Sequence, residues 1–209
     1  MKKLLTEYEV NKIIKSGAKE IVVERESFLT PLARDLILHS GLKIVKDQSQ
    51  LSPVESNSHI KIAIGSDHTG VKIKKILLVH LMQKGFDLFD VGTFTEDAVD
   101  YPDIAYNVSN RVAIGEVLYG IIIDATGIPS AITANKIPGI RAATCYNEFS
   151  AKSSREHNNA NVLVLGARSL GEETIKSITD VWLASKFLGD RHQRRLDKIK
   201  VIEEKYSRK

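Results

Sequence analysis

The chain has 209 residues, of which 43% are apolar and 27% charged; that is enough apolar material for a packed core and too ordinary a charge content for wholesale disorder. The net charge is +4, and part of the basic excess falls in Arg191, Arg194, Arg195, Lys198 and Lys200. Such a stretch suits a solvated helix face, a nucleic acid or a small-molecule phosphate, but the chain is only 6% aromatic and the stretch lacks the stacking platform of a nucleic-acid module. The single cysteine, Cys145, excludes an intramolecular disulfide and a cysteine metal cluster, and fits a reducing cytoplasm. Glu7 and Glu9 interrupt the apolar start in a way a signal peptide does not, and no apolar run approaches the roughly 20 residues of a membrane helix. The expectation is a soluble, cytoplasmic protein with neither a membrane segment nor a nucleic-acid partner.

Residues 1–45 read as a small helix–strand–helix–strand unit. Thr6 and Glu9 have capping-box spacing, and Val10, Ile13 and Ile14 supply one apolar face. Gly17 is a stop signal. Residues 21–23 read as a strand. Thr30-Pro31 opens a second helix, whose stripe is Leu32, Leu36 and Ile37 and which ends at Gly41 before a strand over 42–45. Residues 46–59 are polar, carry Ser, Pro and Asn, and read as a linker. From residue 60 the pattern changes. Strands over 60–65, 86–91, 118–123, 141–145 and 162–165 alternate with helices over 71–84, 102–114, 147–156 and 171–186, and a last helix covers 190–206. The strand at 118–123 has no charged residue, so both its faces should be buried. This alternation predicts an α/β fold: a Rossmann-like, doubly wound, parallel five-stranded sheet over 60–209, with a small α/β N-terminal extension. In such sheets ligands bind beyond the carboxyl ends of the strands.

The loops there carry the polar residues. Asp67 and His68, in Gly65-Ser66-Asp67-His68-Thr69-Gly70, can grip sugar hydroxyls and a charged group, although a loop Asp also caps helices. In Asp124-Ala125-Thr126-Gly127-Ile128-Pro129-Ser130, small residues before a helix can aim backbone N–H groups at an anion or simply make a tight turn; Pro129 has no N–H to offer. His157, in the polar stretch 155–161, can transfer protons near neutral pH. Arg168 can hold a phosphate or cap a helix. Arg191 and Arg195 lie four apart and share a helix face, where two guanidiniums suit a phosphate as readily as solvent.

The order of these pieces is more specific than any one of them. The run IAIGSDHTG…VGTFTEDAVDYPD…GIIIDATGI…ANKIPGIRAA…SREHNNANVLVLGAR…GDRHQRRLDKI resembles the ribose-5-phosphate isomerase B / galactose-6-phosphate isomerase family over about residues 60–200. The resemblance implies interconversion of a phosphorylated aldose and ketose through a cis-enediol, with ribose 5-phosphate as the default substrate and no metal or other cofactor. It assigns ring opening to His157 and substrate contacts to Asp67, His68, Tyr101, Gly127 and Asn158. Thr126 handles the substrate oxygens during proton transfer, and Arg168, Arg191, His192 and Arg195 hold the phosphate. It also implies a homodimer or tetramer with shared active sites. The sequence departs from the family at its base: the ribose enzymes place a cysteine where Asp124 stands, and a second subgroup uses a glutamate where Ser130 stands. Either Asp124 is the base, or the domain is an impaired sugar-phosphate-binding subunit that needs a cysteine-bearing partner. Residues 29–36 and 41–44 resemble the N-terminal part of ethanolamine-utilisation corrinoid adenosyltransferases, which implies docking to a bacterial microcompartment or a partner enzyme; a stabilising extension is the alternative.

Overall fold

The computed structural model describes residues 4–5, 7–18, 20–23, 28–29, 31–46 and 60–207. The chain divides into two compact units, Met1–Glu55 and Ser56–Lys209.

In the first unit, β1 (Leu4–Leu5) is followed by α1 (Glu7–Lys15), β2 (Glu20–Val23), β3 (Phe28–Leu29), α2 (Pro31–Ser40) and β4 (Lys43–Lys46). β2 and β4 pair in parallel, and so do the two-residue strands β1 and β3, which sequence reading omits. The helices meet over a core of Val10, Ile21, Ala33, Ile37 and Leu42, with Ile13, Ile14 and Leu36 at its margin. The expected stripe of α2 needs correction. Leu32 is 57% exposed and Ala33 takes the buried place, because Ala33, Leu36 and Ile37 keep the three-and-four spacing of a single helix face while Leu32 falls a residue outside it. The Thr6 and Thr30 caps and the segment 47–59 lie outside the described residues.

The second unit contains β5 (Lys61–Ser66), α3 (Val71–Gln83), β6 (Asp87–Asp90), α4 (Tyr101–Ala113), β7 (Tyr119–Asp124), α5 (Ile128–Ala134), β8 (Ala142–Thr144), α6 (Glu148–Glu156), β9 (Val162–Gly166), α7 (Glu172–Ala184) and α8 (Arg191–Ser207). The five strands are parallel, in the order β6-β5-β7-β9-β8. Successive residues alternate between two cores, as the two-residue period of a strand requires. Ile62, Ile64, Ile121, Ile123, Leu163 and Leu165 pack with α3, α6 and α7 around Leu77, Ala151, Ile178 and Trp182. Ala63, Ile122, Val162 and Val164 pack on the other face with Ala105, Val108 and Ala134 of α4 and α5. The edge strand β8 is only three residues long. The Asn135 carboxamide donates to Ala142 O and accepts from Ala142 N, each at 2.9 Å, taking the place of one strand neighbour there. The helix α5 has no range in the sequence reading, which takes residues 124–130 as a loop before a helix. It begins at Ile128, and Pro129 sits in its first turn, where a missing N–H costs no helical bond.

From β5 the chain moves outward to β6 on one side, and from β7 onward it builds the other side. The sheet therefore reverses direction between β5 and β7, and the loops leaving their carboxyl ends flank the crevice where open α/β sheets bind ligands.

Candidate active site

Three loops meet at that crevice. The Asp67 N–H donates to Ile123 O at 3.0 Å, tying the end of β5 to β7. Asp67 is buried, and its Oδ1 accepts from Thr69 N (2.8 Å), Thr69 Oγ1 (2.6 Å) and Gly70 N (3.2 Å). Its carboxylate thus shapes the turn into α3; the N-cap of that helix is Gly70, with no side-chain cap. His68 is half-buried, and its Nδ1 accepts from Val99 N at 3.4 Å. That contact brings the segment before α4, and with it exposed Tyr101, beside the crevice.

The loop after β7 is built around Asp124, which is 1% exposed. Its Oδ1 accepts from Thr126 N (2.8 Å) and Gly127 N (2.5 Å), and its Oδ2 accepts from Ser130 N at 3.1 Å. The donors of this loop do converge on an anion, but that anion is the chain's own carboxylate. Each carboxylate oxygen has two lone pairs, so Oδ1 is fully used and Oδ2 keeps one. Gly127 is buried at φ +83° and a Cβ there would lie 2.7 Å from Thr144 Cγ2, so both the conformation and the space call for glycine. Thr126 is exposed at the crevice, with its Oγ1 accepting from Ile128 N at 3.3 Å.

The third loop, after β9, locks against the second. Ala167 N donates to Asp124 O at 2.7 Å and Arg168 N to Ala125 O at 3.0 Å. The Arg168 side chain is exposed at this same end of the sheet. Sequence reading misses Tyr146, whose hydroxyl donates to Thr126 O at 3.1 Å; nothing in the sequence marks a tyrosine before α6 for that contact.

The remaining expected residues lie at the opposite end. α6 is the crossover from β8 to β9, so it runs back toward the amino ends of the strands, and its C-cap is His157. Arg155, in its last turn, bonds Tyr119, the first residue of β7. Leu188 N donates to Glu156 O at 3.0 Å, which brings the start of α8 to the same place. His157 stacks on His192 with ring centroids 4.4 Å apart and planes 5° from parallel. Exposed Asn158, Arg191 and Arg195 surround the pair. Strand rise alone puts roughly 16 Å between this cluster and the Asp124 loop. One chain therefore brings together Asp67, His68, Tyr101, Asp124, Thr126, Gly127 and Arg168, and separately His157, Asn158, Arg191, His192 and Arg195.

His192 does not fit the expected phosphate contact. It is 5% exposed, with Nδ1 buried and unpartnered. Burial pulls its pKa below the ordinary histidine value, the positive neighbours His157, Arg191 and Arg195 add to this, and Asp190 opposes it. A buried imidazole held toward its neutral form is a packing surface for His157 rather than a cation for phosphate.

The model of the Ribose/Galactose Isomerase family matches residues 62–199. Ribose-5-phosphate isomerase B of Escherichia coli is 44% identical over 145 residues, covering 69% of this chain and 97% of that one. Among solved structures, ribose-5-phosphate isomerase B of Clostridium thermocellum superposes with a TM-score of 0.70 at 46% identity, covering 70% of this chain and 99% of that one. The Mycoplasma genitalium enzyme with bound ribulose-5-phosphate gives a TM-score of 0.68 at 40% identity, covering 70% and 97%.

Proposed function

Because the chain belongs to the ribose/galactose isomerase family, we propose that it interconverts ribose 5-phosphate and ribulose 5-phosphate through a cis-enediol. The observation that carries this reading is the convergence of Asp67, Asp124, Thr126 and Arg168 at the β5–β7 crevice, in a chain with 44% identity to a ribose-5-phosphate isomerase. His157 opens the sugar ring. Its Nδ1 lies 3.1 Å from Ser153 Oγ, which leaves Nε2 as the atom facing substrate. Asp124 takes the C2 proton through the free lone pair of Oδ2 and returns a proton to C1. The Thr126 hydroxyl exchanges protons with the substrate oxygens as enediolate charge develops. Asp67, His68, Tyr101, Gly127 and Asn158 bind the sugar, and Arg168, Arg191 and Arg195 hold the phosphate.

His157 and Asp124 occupy opposite ends of one sheet, so the proposed site is completed by a second copy of the chain. Exposed apolar side chains support such an interface. Ile128 (53% exposed) and Ile132 (59%) lie one turn apart on α5, and Phe149 (81%) lies on α6. Ile199, Ile202 and Tyr206 of α8 line a cleft of about 630 Å³ together with Ile140 and Ala142. We further propose that residues 1–45 form a docking module for a bacterial microcompartment or a partner enzyme, a reading supported by their separate core and by the resemblance of residues 29–36.

The test is ketose formation from ribose 5-phosphate. Asp124→Ala and His157→Ala are each expected to be inactive. Refolded together, they should regain about a quarter of the parental sites, because mixed dimers contain one intact site. No recovery from folded, mixed variants would refute the shared site. No turnover by the parent protein, with sugar phosphate still bound, would leave an impaired binding subunit instead.

A further inference from the structure

The segment 155–161 contains more polar residues than His157 and Asn158, and the proposed chemistry uses only those two. Arg155 is 5% exposed. Its Nη1 donates to Asn159 Oδ1 at 3.0 Å and to Ala160 O at 2.5 Å, and its Nη2 donates to Tyr119 Oη at 2.8 Å. The guanidinium carbon lies 4.7 Å from the Tyr119 ring centroid and 5.2 Å from that of Trp182. These partners are all neutral. Burial accordingly lowers the Arg155 pKa, with the Tyr119 hydroxyl opposing and Arg141 adding to the effect.

Asn159 is one of two non-glycine residues with positive φ among the described residues, at +45°. It is held from both sides: its N–H donates to Arg155 O at 3.0 Å, and its C=O accepts from Arg141 Nε at 2.9 Å. The two residues between the end of α6 and this clamp are His157 and Asn158. We infer that Arg155 and Asn159 are positioning residues that hold His157 in register with the sheet for ring opening. This rests on the isomerase reading above.

The chain of contacts is short. Tyr119 begins the central strand β7. The planar Arg155 fork references residues 159–160 to that strand, and the positive φ of Asn159 turns the backbone so that the preceding histidine leaves α6 at its C-cap. Ser153 Oγ and the His192 ring then fix the rotation of the imidazole. Stability alone does not require a buried guanidinium, because apolar groups of similar volume are often as stabilising. A rigid fork with donors aimed in two directions is suited to setting geometry, and lysine cannot reproduce it.

Ring opening gives a readout that a merely structural role would not move. Ribose 5-phosphate is cyclic in solution and must be opened. Ribulose 5-phosphate has its C5 oxygen esterified and cannot form a furanose, so it enters open-chain. For Arg155→Lys and Asn159→Gly, kcat/KM with ribose 5-phosphate is expected to fall about 10- to 100-fold, the scale of a misplacement near 1 Å. Net conversion of ribulose 5-phosphate must fall by the same factor, because the equilibrium constant fixes the ratio of the two kcat/KM values, whereas deuterium uptake at C1 of ribulose 5-phosphate in D2O needs the base but no ring opening and should stay within about threefold. Asp124→Ala should instead lose conversion and C1 exchange together. Asn159→Gly keeps the positive φ and carries the test if Arg155→Lys fails to fold. Equal losses of conversion and C1 exchange, or no loss in the folded variants, would overturn the inference. Inactivity of the parent protein in both directions would instead overturn the isomerase reading on which it depends.

Discussion

Replacing Asp124 by asparagine separates its two possible duties, because the side chains are nearly isosteric. With the native rotamer kept, the amide oxygen retains both bonds from Thr126 N and Gly127 N, now without the charge. The amide nitrogen then faces Ser130 N, 3.1 Å from the present Oδ2, and two donors oppose each other. Leaving one buried donor unpaired costs about 1–3 kcal/mol. In a unit of this size that is a fall in melting temperature of roughly 2–12 °C. Loss of a general base costs about 10²–10⁴-fold in rate. The expected outcome is a folded protein, a few degrees less stable, whose ketose formation has dropped by at least about 100-fold. Melting curves and initial rates with ribose 5-phosphate, taken on one preparation, check both figures. Activity within about threefold of the parent would refute Asp124 as the base and leave it as the anchor of its loop. Asp124→Cys completes the series: the thiol cannot serve three N–H donors as the carboxylate does, so this variant should be the less stable of the two even if it turns over substrate.

Three other outcomes follow from the packing. A Cβ at Gly166 would lie 2.6 Å from Thr126 O and 2.7 Å from Thr126 C, both backbone atoms that cannot swing aside; Gly166→Ala should cost about 1–3 kcal/mol and displace the Asp124 loop, seen as a lowered melting temperature together with reduced turnover. His192 has a folded-state pKa below its ordinary 6.5. Above that pH both states are neutral and its contribution to stability is intact; as pH falls below about 6.5 the unfolded chain takes the proton first and stability is lost. Melting temperature should therefore decline on acidification more steeply in the parent than in His192→Gln. In the N-terminal unit, Ile37 is 3% exposed and Leu32 57% exposed, so Ile37→Ala should destabilise that unit by about 2–5 kcal/mol, while Leu32→Ala stays within about 0.5 kcal/mol, as read by its own unfolding transition.

The sheet is legible in the sequence because its signals are local and repeated. Uncharged runs such as residues 118–123 mark strands buried on both faces, and glycines such as Gly85 mark helix ends. The misreadings have equally local causes. Leu32 reads as core on hydrophobicity alone, although the spacing of Ala33, Leu36 and Ile37 defines the face. The helix α5 is hidden because Asp124 to Ser130 reads as small-residue loop, and its first turn is held by a carboxylate four residues before it begins.

The candidate site is legible as a set of residues but not as an arrangement. Asp124 shows why. Its residue type suggests a base, whereas its three N–H donors come from positions 126, 127 and 130 through the fold of the loop, which no pattern of side chains encodes. His157 shows the same limit at longer range. The motif around it names the histidine, and the crossover from β8 to β9 carries it to the far end of the sheet. With the roles proposed for them, a proton-transfer residue at one end and a ring-opening residue at the other cannot act on one five-carbon sugar inside a single chain. The separation that looks like a failure of the motif is thus the strongest physical argument for the proposed assembly, in which the lower end of one copy meets the upper end of another and closes a gap of roughly 16 Å.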